Sequence, residues 1–183
     1  MEPMRLEEIA ELLEHALLGR LGMAARDGTP YVIPMPFCWY DGALYLRLPG
    51  TGRKGRVMAE NDRVCFEVDW FAPDLSDYAS VIAEGRLVPV VDAQEKMRIR
   101  RLNEIKYCRL RGSARKGHGR TTRIEDLCLS KIEISELGGR KKEAAADESF
   151  DASRRGAKGC PLCGTGKRRK PKIAPKRPST TGD

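Results

Sequence analysis

Two Asp-Gly pairs, Asp27-Gly28 and Asp41-Gly42, each separate segments rich in strand-forming residues. Asp-Gly is a strong hairpin signal, because glycine adopts the positive φ that a tight two-residue turn demands. Residues 21–26, 31–40 and 43–48 therefore read as three consecutive antiparallel strands. In the third, Leu44, Leu46 and Leu48 alternate with Tyr45 and Arg47, the period-two pattern of a sheet with one buried face. Val64, Phe66 and Val68 alternate with Cys65, Glu67 and Asp69 in the same way. Residues 79–91 and 127–134 supply a fifth and a sixth strand.

Helices are fewer. Leu6, Ile9, Ala10, Leu13, Ala16 and Leu17 recur at helical spacing and predict an amphipathic helix that ends near Gly19. A short helix is expected over 53–60. Another is expected from Asp92, with Glu95 in the capping-box position, to about Tyr107. Residues 70–77, with Pro73, read as a loop; 110–123, rich in Gly and Arg and containing His118, as a loop or lid. Gly138-Gly139 is expected to close the domain. The fold class is mainly β (α+β), built on an antiparallel sheet.

Charge divides the chain at a different scale. Of 34 Lys/Arg and 26 Asp/Glu, residues 151–183 hold ten cations and two anions, leaving 24 of each in residues 1–150. The globular part is neutral and the net +8 belongs to the tail. The chain thus divides into a domain at 1–140 and a basic, low-complexity tail at 141–183. Five glutamates in the first 14 residues argue against a signal peptide, and no apolar run has the length of a membrane span. A cytoplasmic protein with reduced thiols is the expectation.

Two local patterns carry chemistry. Pro34 and Pro36, two apart in one predicted strand, remove two N–H groups from the same strand edge. That edge is either simply exposed or faces a flat ligand. Further on, Gly50-Thr51-Gly52-Arg53-Lys54-Gly55 places three glycines and two cations where a strand gives way to a helix. Cations at a helix N-terminus oppose its dipole by roughly 0.3–1 kcal/mol each. A bound anion removes the conflict, and a phosphate suits the open N–H groups.

In the tail, Cys160-Pro161-Leu162-Cys163-Gly164 has the form of a zinc knuckle, with two of the four thiolates a tetrahedral site needs. Cys108, Cys128, a second copy or a partner would supply the rest; otherwise the pair is a reduced or redox-active dithiol. The run Lys167-Arg168-Arg169-Lys170 is a solvated tail, or makes nonspecific, salt-dependent contact with nucleic acid.

The order of elements, with Asp27-Gly28-Thr29-Pro30-Tyr31-Val32-Ile33-Pro34-Met35, Leu44-Tyr45-Leu46, Gly52-Arg53-Lys54, Arg63-Val64-Cys65-Phe66-Glu67-Val68 and Ser80-Val81-Ile82-Ala83-Glu84-Gly85-Arg86, resembles the pyridoxamine 5′-phosphate oxidase-like split β-barrel family. The resemblance spans residues 6–137 and is nearest the Nim-type branch, named for nitroimidazole resistance. It implies six or so antiparallel strands with flanking helices and an FMN-binding homodimer with the flavin at the subunit interface. By the resemblance, Arg53 and Lys54 match the phosphate-binding cations, and Pro34 and Met35 lie beside the isoalloxazine. Leu48 and Pro49 match the end of the third strand, and Ser80 and Val81 the start of the fifth. Arg47-Leu48-Pro49-Gly50 departs from a His-Ser-Ala type sequence often found there, so the role of that histidine is not carried over.

The implied activity is that of an FMN-dependent oxidoreductase reducing a small electrophile such as a nitroaromatic. No side chain stands out as a general acid or base, and the true oxidase's substrate residues are not evident. The alternatives are a non-catalytic flavin or haem binder, and a nucleic-acid-associated protein working through its tail. Related barrels also hold a deazaflavin or haem in place of FMN.

Overall fold

The structure, a computed structural model, describes residues 1–111 and 123–142, and of residues 110 and 111 the backbone alone. His118, Cys160 and Cys163 lie outside the described residues. In chain order the elements are β1 (Glu2–Pro3), α1 (Leu6–His15), β2 (Leu18–Ala24), β3 (Pro30–Tyr40), β4 (Ala43–Arg47), α2 (Gly52–Glu60), β5 (Arg63–Phe71), β6 (Tyr78–Pro89), α3 (Ala93–Arg111) and β7 (Leu129–Lys142).

All strand pairings are antiparallel. The sheet order is β1-β7-β4-β3-β2-β5-β6, and β6 pairs back onto β7, so six strands close into a barrel with β1 as a short addition. Closure leaves few edges, and each strand presents alternate residues inward. On β5 these are Val64, Phe66 and Val68, as their alternation predicts. Phe37 and Phe66 meet edge to face inside, ring centroids 5.1 Å apart. Gly19 passes beneath Phe66, where a Cβ would collide with the ring.

α1 stops the barrel by inserting Ile9 and Leu13, both essentially inaccessible. Burying such a side chain contributes about 1.5–3 kcal/mol. The helix ends at His15, four residues before the expected stop, since Ala16 is already extended (φ −70°, ψ 137°). The apolar spacing at Ala16 and Leu17 continues by coincidence, and Leu18 starts β2.

Two other boundaries moved for physical reasons. Trp70 and Phe71 remain in β5, paired with Ala79 and Tyr78, so the connecting turn is shorter than the expected 70–77 loop. Gly138 and Gly139 lie within β7, which runs on to Lys142, eight residues beyond the expected end of the sixth strand at residue 134. Gly139 is small because Ile9 and Met4 pack against it, with a hypothetical Cβ 2.8 Å from Ile9 Cγ1. Among the described residues no helix is long and apolar enough to cross a membrane.

β3 changes partner along its length. Residues 30–36 pair with β2, and residues 37–40 pair with β4. Beyond Phe37 the β4-side edge of β3 is therefore unpaired from Pro30 to Pro36. α3 packs against β3 with a second core of Cys38, Tyr45, Val90, Ile99, Leu127 and Leu129.

Candidate functional site

The open edge of β3 is set by strand alternation. Thr29 C=O accepts a hydrogen bond from Ala25 N–H (2.9 Å) on the β2 side. In an antiparallel ladder N–H and C=O of one residue point the same way and alternate along the chain. Odd-numbered residues here face β2, so Pro30, Val32, Pro34 and Pro36 face the open edge. Three of those four residues have no N–H. The edge offers carbonyl oxygens, one N–H at Val32, and exposed proline rings.

α2 adds the second wall. Gly52 has φ +71°, a conformation that favours glycine, and it turns the chain into the helix. Gly55 is needed for close approach: a Cβ there would run into the Gly50 carbonyl, so the loop from Leu48 folds back on the first helical turn. Thr51 is the N-cap but makes no side-chain capping bond, and the first turn holds no acidic residue. The first N–H groups of a helix have no intrahelical acceptor. Among the described residues no carboxylate pairs with Arg53 or Lys54. Donors and charge together suit an anion.

The two walls meet. Arg53 Cζ lies 4.5 Å above the centroid of the Tyr31 ring on β3. Tyr31 to Pro34 is three residues, roughly 10 Å along a strand. A ligand with a phosphate at one end and a planar ring system at the other would span that interval. The donor set thus fits the phosphate of a flavin nucleotide at Arg53 and Lys54 and its ring along the proline edge.

The remaining predicted residues fall in different places. Met35, Leu48 and Val81 point into the barrel core, so any contact they offer a ligand is through the backbone. Leu48 N–H is already bonded to Cys128 C=O at 2.9 Å. Pro49 is exposed beside Gly50. Ser80 is on β6, opposite Asp69 and Arg140, with β5 and β2 between it and β3, so a single chain does not bring it to Arg53. Tyr31 and Pro30 were not singled out by sequence. Their signal was the parity of Pro30 with Pro34 and Pro36, and the single helical turn separating Arg53 from Gly50.

Other features lie apart from this site. A cavity of about 420 Å³ opens at the β-bulge between Glu84 and Gly85, lined by Arg63, Arg86, Glu84 and Glu133 among others. It contains none of the predicted residues. Of the described cysteines, Cys38 is buried, Cys108 half-buried, and Cys65 and Cys128 exposed. Burial pushes the Cys38 thiol up to about 11. Among the described residues no group of three or more His, Cys, Asp or Glu could hold a metal.

The fold has known counterparts. A protein provisionally described as a 5-nitroimidazole antibiotic resistance protein from Bacteroides thetaiotaomicron VPI-5482 superposes with a TM-score of 0.61, at 18% identity over 76% of this chain and 86% of that one. An FAD binding protein from Mycobacterium smegmatis gives 0.58 at 18% identity, over 78% and 98%. An FAD-binding protein from Mesorhizobium loti gives 0.58 at 24% identity, over the same shares. At these identities the likeness is one of fold. No curated protein matches the sequence. The family model described as pyridoxamine 5′-phosphate oxidase matches residues 5–141, and the chain belongs to that family.

Proposed function

We propose that the protein is a flavin-binding oxidoreductase that holds FMN between the start of α2 and the open edge of β3. The observation that carries this is the Arg53–Tyr31 contact, which joins an uncapped, cationic helix start to the proline edge. Arg53 and Lys54, with the N–H groups of the first turn, hold the phosphate. The carbonyls and proline rings of residues 30–36 line the ring system. The flavin supplies the electron-transfer chemistry, and the chain supplies orientation and charge. Solved proteins of the same fold described as FAD-binding, and one described as a nitroimidazole resistance protein, support a flavin and a small electrophilic substrate such as a nitroaromatic.

The working unit in this reading is a homodimer. The outer wall of β2, β3 and β6 exposes Leu18, Val32 and Ile82 beside the Arg20–Glu67–Asp69 ion cluster (2.8 Å each). A second copy on that wall would cover the apolar side chains and bring its Ser80 towards the first copy's flavin. The spectrum of the purified protein tests the cofactor: flavin bands support the reading, a Soret band replaces it with haem, and a colourless protein that takes up no added FMN refutes it. Reduction by NADH or NADPH and turnover of a nitro compound separate an enzyme from a passive binder. Metal analysis decides whether Cys160 and Cys163 bind zinc.

A further inference from the structure

We propose that Tyr107 is a positioning residue of this flavin site, its hydroxyl forming the last rung of the β2–β3 ladder and fixing the proline edge where β3 changes partner. The inference rests on the flavin reading above. The register pairs Leu18 with Pro36 and Gly19 with Met35, so the next pair would be Leu17 with Phe37. Phe37 is odd-numbered and points N–H and C=O to the β2 side, where β2 has already ended. A direct bond to Leu17 is replaced by a side chain. Phe37 N–H donates to Tyr107 Oη at 3.0 Å, and Tyr107 O–H donates to Leu17 C=O at 2.8 Å.

The neighbouring residue completes the substitution. Lys106 Nζ donates to Phe37 C=O (3.2 Å) and to Leu13 C=O (2.9 Å), and it sits 3.8 Å over the Phe37 ring. Lys106 is 7% exposed and Phe37 1% exposed, so little water is available to replace the lysine, whereas Tyr107 is half-buried and its bond to Phe37 part-buried. Both polar groups of Phe37 are thus held by α3, and both of the residues that hold them also bind the end of α1 or its exit.

The consequence for the site follows from the open edge. Residues 30–36 have a sheet neighbour on one side only. Their lateral position is set by the β2 ladder and by whatever terminates it. Tyr107 terminates it one residue from Pro36, at the end of the strand opposite the Arg53 contact. Loss of that hydroxyl frees the proline edge and leaves the phosphate grip intact.

The test compares FMN binding by wild type, Tyr107→Phe and Ile132→Val. Ile132 lies in the core on β7, away from β3, and its shortening serves as a control for general loss of stability. Tyr107→Phe is expected to weaken FMN binding at least fivefold and to shift the flavin's visible bands, with Ile132→Val doing neither. Equal effects from the two variants, or none from Tyr107→Phe, would overturn the proposal. A second measurement needs no variant. Coupling is reciprocal, so FMN added to wild type should slow hydrogen exchange at the Phe37 amide, and an unchanged rate also overturns it. Wild type that binds FMN while Tyr107→Phe is silent defeats this inference alone. Wild type that takes up no FMN defeats the flavin reading and this proposal with it.

Discussion

The first turns of α1 and α2 solve the same electrostatic problem in opposite ways. α1 carries its own anion: Glu8 accepts from Arg5 N–H at 2.7 Å and pairs with Lys141 at 2.9 Å. Those contacts, the Arg5 backbone bond first and Lys141 next, hold the Glu8 carboxyl down to about 2. α2 has no acidic residue in its first turn, no side-chain cap, and two cations where the dipole disfavours them. One helix start is finished by its own sequence. The other has no such anion of its own, and it is the one that touches the proline edge.

The sharpest way to break this contrast is to remove the cations. Arg53→Ala with Lys54→Ala should lower FMN affinity by at least roughly 100-fold, since charge-assisted hydrogen bonds contribute about 1.5–3 kcal/mol each. Fluorescence titration would read it, and unchanged affinity would place the phosphate elsewhere. Gly55→Ala comes next. Its new methyl meets the Gly50 carbonyl, so the loop must shift, at about 1–3 kcal/mol of stability. Chemical denaturation measures that, and FMN binding should fall with it.

A subtler change makes α2 resemble α1. Thr51→Asp gives the helix its own cap and carboxylate, and should stabilise the apoprotein by about 0.5–1 kcal/mol. The same carboxylate competes with a phosphate, so FMN affinity should fall while thermal stability rises. Movement of both in the same direction would sink the comparison. The smallest effects are pH slopes. Glu8 titrates lower in the folded chain than its ordinary 4.5, so its contribution is full above that value and is lost as pH falls from about 4.5 to 2. Glu8→Gln should flatten the melting temperature over that window.

Lys106 gives a slope of the same sign in an alkaline window. Burial lowers its amine from 10.5 to about 8, so between those values the unfolded chain binds more protons and stability rises with pH. Lys106→Met should remove that rise between pH 8 and 10.

Sequence reading reached the antiparallel sheet because its signals were local, and the barrel came from the family resemblance. Asp41-Gly42 has positive φ at both residues and Gly28 likewise, as tight turns require. The β5 alternation translated directly into burial. Arg53 and Lys54 were visible because two cations at a helix start contradict the dipole. Tyr31 and Tyr107 were not visible as site residues. Each acts through a partner distant in sequence, Arg53 and Phe37, and neither spacing nor composition announces such a contact. The role of Gly139 was hidden for a related reason: it makes room for Ile9 and Met4, which come from the other end of the domain.

The prolines of β3 have one further effect. An unpaired strand edge is ordinarily a template on which another chain can add a strand, the first step towards sheet polymers. Pro30, Pro34 and Pro36 withhold the donors such an added strand would need. A groove walled by backbone can thus stay open to a small planar molecule while refusing a peptide. Replacing these prolines would return to this edge the donors that an added strand needs.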